Sequence, residues 1–249
     1  MDGRVNGFDR ALAANIGARV LAGGGDMALV PFRAPEGCPV EVLTHGLDAN
    51  GNLVVTCRDA DLATYLPTEV RVDVMVQSPQ FQVAIYAASV HALATVEWFH
   101  LNGDTVTGSL ELGKLHVHHM GAPATFAVEV LRPLALGIGE VDYDRLSAYD
   151  TVSGLGTPFL ELLFDAAVGG RIPHLLGEVM PLRGCAHTKN QLFIVDVCGA
   201  GVTLLRTHDS THRTVHIALP RPARDLEDLA SQLTGLAVEA SGWHAESRI

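Results

Sequence analysis

Pro39-Val-Glu-Val-Leu-Thr-His-Gly-Leu-Asp-Ala-Asn-Gly-Asn-Leu-Val-Val-Thr-Cys-Arg58 is the stretch on which the reading of this chain turns. β-Branched and apolar residues flank Asp48-Ala49-Asn50-Gly51, whose Asn-Gly pair accepts the positive φ that a hairpin turn demands. The stretch therefore predicts two strands joined by a tight turn, and a hairpin needs further strands to pair with. Val70-Arg-Val-Asp-Val-Met-Val76 supplies one directly afterwards, with Val70, Val72, Val74 and Val76 on one face of a period-2 strand.

Working outward, Met27 to Phe32 reads as a first strand, and the Pro-rich Arg33 to Pro39 connects it to the hairpin. Upstream, Phe8, Leu12, Ile16 and Leu21 fall near helical intervals, and Gly23-Gly24-Gly25 stops that helix. The triple glycine lacks the preceding strand and following Lys-Ser or Lys-Thr of a nucleotide loop, so it reads as a helix C-cap and turn. Downstream, Asp59 to Leu66 fits a short helix closed by Pro67. A β-rich tract runs from Phe81 to Phe99, and Thr125 to Leu131 alternates as a further strand with Phe126, Val128 and Val130 on one face. About six strands with connections too short for helical crossovers predict a closed barrel rather than a parallel sheet.

The texture changes near Asp142 to Tyr149, which reads as a linking helix. Pro158 to Val168 is helical, with Pro158 suited to a first turn, and Pro173 to Met180 reads as the start of a second helix. Leu192 to Val197, Gly201 to Arg206 and Thr214 to Leu219 are three strands separated by turns. After Pro220-Arg221-Pro222, the apolar stripe Leu226, Leu229, Leu233, Leu236 and Ala237 predicts a helix packed on a small sheet. The expected organisation is a barrel domain over 1–141 and a small α+β domain over 142–249.

Composition narrows the function. Hydrophobic residues make up 48% and charged ones 18%, which excludes an intrinsically disordered chain. The formal net charge of -11, from 17 basic and 28 acidic residues, disfavours nucleic acid as a partner. The sequence has no apolar run long enough for a membrane span and no signal-peptide pattern at its start, so it predicts a cytoplasmic chain with no membrane partner. Cys38, Cys57, Cys185 and Cys198 form no Cys-x-x-Cys pair and read as small core hydrophobes. The 12 histidines invite a search for a metal or haem site. His116 and His118 would share one strand face, close enough to chelate a metal together. With no third ligand nearby, His116-Val-His-His119 reads instead as a solvated loop, and His208 and His212 as turn residues. No Gly-x-Ser-x-Gly elbow occurs, since Thr151 to Gly156 lacks its first glycine. Nothing singles out a carboxylate pair for acid–base catalysis.

Several of these stretches together resemble a known superfamily. The N-terminal helix, the His45 to Leu53 hairpin, the helix before Leu66, the Val70 to Val76 strand and the late Phe126 to Val130 strand ending in Leu136 to Gly139 resemble the FMN-binding split β-barrel of pyridoxamine-phosphate-oxidase-like proteins. Val215-His-Ile-Ala-Leu-Pro-Arg-Pro-Ala-Arg-Asp-Leu-Glu-Asp-Leu229 resembles the small C-terminal domain of HugZ-type haem-utilisation proteins and of a related plastid regulator that binds glutamyl-tRNA reductase. The fold implied is α+β, a split β-barrel followed by a small α+β domain, assembled as a homodimer because cofactor clefts in such barrels lie at dimer interfaces.

The resemblance implies a haem-binding protein of haem or iron metabolism, with haem degradation as the activity it would carry. His244 in the tail is then the axial ligand, and His174 corresponds to one of the two histidines of the family's His-Met-Asn-x-Asp-His run. Arg58, Arg71 and Arg132 are the propionate partners that chemistry offers. A second implication is an FMN-dependent oxidoreductase, its phosphate held by Thr56, Arg58 and Thr64. A third is a noncatalytic regulator that uses the barrel to bind a protein partner.

Overall fold

The computed structural model describes residues 2–32, 39–58, 68–80, 83–138, 140–182 and 188–246, with the backbone alone at 2–6, 100–102, 140, 143 and 243–246. The helix expected over Asp59 to Leu66 lies outside the described residues. The chain divides into two compact units, Arg10–Gln77 with Ala88–Ile138, and Met1–Asp9 with Ser78–Ala87 and Gly139–Ile249.

The first unit contains most of helix α1 (Asp2–Leu21), strands β1 (Asp26–Pro31), β2 (Val40–Leu47), β3 (Leu53–Arg58), β4 (Glu69–Gln77), β5 (Tyr86–Asn102), β6 (Thr105–Leu112), β7 (Lys114–His118) and β8 (Ala124–Ala127), and helix α2 (Val128–Leu136). The strand order is β4-β1-β2-β3-β6-β5-β7-β8, and a further β4–β5 pairing closes six of these strands into an antiparallel barrel. Two-residue periodicity fills its interior. Val70, Val72, Val74 and Val76 are all buried, as are Val55, Cys57, Val90, Ala92, Ala94 and Val96. Residues between them point outward, and that outer face carries the polar side chains described below.

Local chemistry fixes the barrel's corners. Gly51 N–H donates to the Asp48 carbonyl at 2.9 Å, and the Asp48 carboxylate accepts from the Asn50 and Asn52 amides at 2.8 Å each. Gly51 alone takes the left-handed conformation, φ +79°, which suits a type I turn followed by a glycine bulge. At the end of α1, Gly24 N–H donates to Arg19 O and Gly23 N–H to Val20 O, the two bonds of a Schellman motif with Gly23 at φ +104°.

Three sequence expectations change. Thr125 to Leu131 is not one strand: β8 stops at Ala127 and α2 begins. Val128, Leu131 and Ala135 are buried at helical spacing, whereas Val130 is 59% exposed, so the 3.6-residue period wins over alternation. His116 to His118 lies in β7 rather than in a loop, with Leu115 and Val117 buried and Lys114, His116 and His118 outward. The third concerns the second unit, where Pro173 to Met180 was expected to be helical.

That unit holds α3 (Glu140–Tyr143), α4 (Arg145–Ser153), α5 (Thr157–Val168), β9 (His174–Pro181), β10 (Leu192–Cys198), β11 (Gly201–His208), β12 (Thr211–Ala218) and α6 (Leu226–Glu246). Its sheet runs β10-β11-β12-β9, all antiparallel. The stretch after Pro173 is therefore an edge strand paired with β12, because only Leu175 of its apolar residues finds a buried position and a helical stripe has nothing to pack on. Leu160, Leu163 and Phe164 of α5 and Leu229, Leu233 and Leu236 of α6 share one core with Ile194, Leu204, Val215 and Ile217 of the sheet. Each such side chain contributes about 1.5–3 kcal/mol by leaving water.

The Pro220-Arg221-Pro222 break has a structural task. Arg221 donates through both terminal nitrogens to the Asp228 carboxylate, at 2.6 and 2.7 Å, and Asp225 caps the first turn of α6 by accepting from Asp228 N–H at 2.8 Å. The paired guanidinium, together with the Arg224 amide, holds the Asp228 carboxyl well below the usual carboxylate range.

Candidate functional site

β3 alternates Leu53, Val55 and Cys57 inward with Val54, Thr56 and Arg58 outward. Antiparallel register sets Thr56 opposite Thr44 of β2 and Thr107 of β6, and Arg58 opposite Thr105. The result is a row of hydroxyls on the outer face of the barrel, ending beside an exposed guanidinium that forms none of the ion pairs found among the described residues. Hydroxyl donors next to an uncompensated Arg suit a phosphate or carboxylate. Thr44, Thr105 and Thr107 escaped the sequence reading because only the register brings them to Thr56. Thr64 lies outside the described residues.

The other arginines do not join this row. β3 and β4 run in opposite directions, so Arg58 near the end of one and Arg71 near the start of the other share a rim, with β2 and β1 between them. Arg71 donates from Nε at 3.0 Å and from Nη2 at 2.6 Å to one Asp73 oxygen, which neutralises it and raises its pKa. Arg132, on α2, packs against the hairpin turn, where a Cβ at Gly51 would stand 3.0 Å from its Cδ. Its buried Nε has no hydrogen-bond partner among the described residues. It lines a hollow of about 490 Å³ together with Asn52, Glu97, Glu111 and Glu129. Three carboxylates against one guanidinium make that hollow repel propionate and phosphate.

A second hollow of about 610 Å³ opens on the barrel surface between Phe32, Glu69, Leu93, Thr95 and Glu111. Phe32 and Leu93 are 54% and 64% exposed there. In the second unit, His174 begins β9 and its Nδ1–H donates to the Ile172 carbonyl at 2.8 Å, so one ring nitrogen is committed to the backbone. α6 continues as helix through residue 244, which places the backbone of His244 in its last turns.

The outer face of β5 and β7 holds a cluster that the sequence reading half saw. His91 stands opposite His116, and Ser89 opposite His118. The His91 ring stacks on both His116 and His118, with centroids 5.1 and 4.9 Å away and planes 15° and 21° apart. Thr125 Oγ1 on β8 bonds His116 Nδ1 at 2.9 Å. Burial, then the neighbouring His118 and His116 rings, push the His91 imidazole below its ordinary pKa. As the rings stand their nitrogens lie in parallel planes, and among the described residues no group of three His, Cys, Asp or Glu surrounds a common metal position. The signal missed in sequence was the alternation of β5, which puts His91 outward; its pairing with β7 is a long-range fact.

No family model matches the chain, and no curated protein matches it. Among solved structures, a heme binding protein from Mycobacterium smegmatis aligns at a TM-score of 0.46 and 15% identity, over 92% of this chain and 98% of that one. A protein of unknown function from Agrobacterium tumefaciens aligns at 0.35 and 12% identity, over 92% and 96%. A protein from Clostridium acetobutylicum related to general stress protein 26, of the pyridoxinephosphate oxidase family, aligns at 0.30 and 9% identity, over 50% and 96%. No helix among the described residues is long and apolar enough to cross a membrane.

Proposed function

We propose that this chain is a haem-binding protein of the haem-utilisation kind, built on a split barrel and working as a homodimer. The observation that carries the reading is the continuation of α6 through residue 244. The helix whose backbone carries residue 244 has its first turn clamped by Arg221 and Asp228. His244 is then the axial ligand. On the barrel, Arg58 is the candidate partner for an acidic group, since it forms none of the ion pairs found among the described residues. Bound haem would supply the redox-active iron; the chain's part is to ligate and orient it. Arg71 and Arg132 drop out of this role, the first because Asp73 neutralises it and the second because glutamates surround it. The exposed Phe32 and Leu93 support the dimer, since apolar side chains around one surface hollow are suited to burial by a second copy.

The hydroxyl row beside Arg58 favours one other reading, an FMN-dependent oxidoreductase whose flavin phosphate lies along Thr56 and Thr107. One titration separates the two. Purified protein titrated with haemin should give a saturable Soret shift that His244→Ala abolishes and Arg58→Ala weakens, and sedimentation of the same sample should report a dimer. Saturable flavin quenching on FMN addition, lost in Arg58→Ala and kept in His244→Ala, would replace haem by flavin. Silence with both cofactors overturns both readings and leaves a noncatalytic barrel that binds a protein partner.

A further inference from the structure

We infer that His91, His116 and His118 form a binding site for one divalent transition-metal ion of the zinc–copper group on the outer face of the barrel, separate from any haem or flavin site. His116 and His118 are two residues apart on β7 and therefore share its outward face, with buried Val117 between them. His91 enters the same face from β5, directly opposite His116 and diagonal to His118. Directly opposite Cβ atoms in an antiparallel pair are about 4.5–5.5 Å apart, and diagonal ones are within reach of long side chains. Two imidazoles from one strand and a third from its neighbour thus start from positions that can converge on one ion.

His116 and His118 are exposed, so their outer sides face water and their rings have room to turn from the stack toward a shared point. Moving between staggered rotamers is inexpensive beside the bonds formed, because metal–imidazole bonds replace two ring stacks at the surface. The metal-free stack and a metal-bound fan are two arrangements of the same three residues. Bringing three imidazoles into contact by stacking alone gains little, whereas three imidazoles with an open fourth position are a zinc ligand set.

Thr125 Oγ1 bonds His116 Nδ1 at 2.9 Å, which leaves Nε2 as the nitrogen available to an ion. A Thr125 bond kept or remade as the ring turns would set the tautomer of the ligating histidine. Asp73, on the neighbouring strand β4, exerts a favourable field on a positive charge at His91, while Arg71 beside it opposes that field. Because Arg71 and Asp73 pair with one another, their fields largely cancel at the cluster. Lys114 shares the outward face of β7, so the site is expected to be one of moderate affinity. Imidazole donors select copper, nickel and zinc over magnesium and calcium.

The test is calorimetric titration of the chelator-stripped full-length protein with zinc sulfate, at a pH above the imidazole range. The expected result is one saturable site per chain, weakened at least about tenfold by His118→Ala and likewise by His91→Ala, since even outer partners of a metal commonly cost that much. His208→Ala, at the end of β11 in the second unit, should leave it unchanged. Nitrogen NMR should follow the same titration, with the His91, His116 and His118 ring signals moving together. Equal affinity in wild type and His118→Ala, with both folded by circular dichroism, would overturn the site, as would zinc moving only other histidine rings. The readout contains no haem, so failure here and failure of the Soret titration are distinguishable.

Discussion

The barrel lines its interior with Val, Ala and Leu from alternate strand positions, whereas the second unit packs Phe and Leu from α5 and α6 against a four-stranded sheet. Their polar groups follow suit. In the barrel unit Arg19 is the buried charged residue among those described, His45 is partly buried, and His116, His118, the threonines and Arg58 stand on the outer face. The second unit buries Asp196, Thr203, Thr207, His216 and Asp228, and pairs several of them: Thr203 Oγ1 with His216 Nδ1 at 2.9 Å, Thr207 Oγ1 to the Thr188 carbonyl at 2.6 Å. The closed barrel keeps an apolar interior, so most of its polar chemistry is displayed on the surface. The sheet–helix core pairs polar groups within itself, and there they serve the fold.

If the contrast is right, the largest single-site damage falls in the second unit. Phe164 is fully buried among sheet and helix residues, and the Arg206 guanidinium lies over its ring at 4.2 Å. Phe164→Ala should cost about 3–5 kcal/mol. The chain has two tryptophans, Trp98 in β5 and Trp243 in α6, so single-tryptophan forms report the units separately in urea. The loss is expected in the Trp243 transition. A cost below about 1 kcal/mol would mean that this core collapses around the gap and is less tightly packed than described.

The barrel's sensitive point is a corner rather than its filling. At Gly23, φ is +104° and a Cβ would stand 2.8 Å from the His45 carbonyl oxygen. Gly23→Ala therefore meets both an unfavourable backbone conformation and a backbone atom that cannot turn away, and should cost about 1–3 kcal/mol. The Trp98 transition should report it. An unchanged midpoint would show that the α1 end can shift, and with it the contrast between a rigid corner and a tolerant filling.

These sites also mark how far the sequence carried the reading. The hairpin around Asn50-Gly51, the Val70 to Val76 strand and the C-cap at Gly23 were legible because each is a local pattern with a local physical cause. The switch from β8 to α2 was not, since Phe126, Val128 and Val130 satisfy a two-residue period while Val128, Leu131 and Ala135 satisfy a helical one, and only packing chooses. Pro173 to Met180 failed for the same reason. The site was less legible still: Thr56 was visible, but Thr44 and Thr107 reach it through two registers, and His91 reaches His116 across 25 residues of chain. Single residue types were readable; their convergence was a property of the closed sheet.

The smallest expected effect separates the units by pH. His45 Nε2–H donates to the Val20 carbonyl at 3.0 Å, and burial pushes its imidazole below the ordinary value, against weaker opposing pulls from the Val20 and Gly24 backbone and the Asp26 carboxylate. Between that lowered pKa and the unfolded value of about 6.5, the unfolded chain binds the proton more readily. Stability from this group is thus complete above about pH 6.5 and lost as the pH falls below it. In the second unit Asp228 is depressed below an unfolded value of about 4, so its contribution persists until the pH drops under that value. Acidification should therefore lower the Trp98 midpoint first, as the pH falls below about 6.5, while the Trp243 midpoint holds until the carboxylate range. His45→Gln, which keeps a donor for Val20 without a titrating ring, should flatten the first step. If the wild-type Trp98 midpoint stays level from pH 6.5 down to the carboxylate range, the partly buried His45 does not couple the barrel to protons, and the acid response resides in carboxylates such as that of the Arg221–Asp228 clamp.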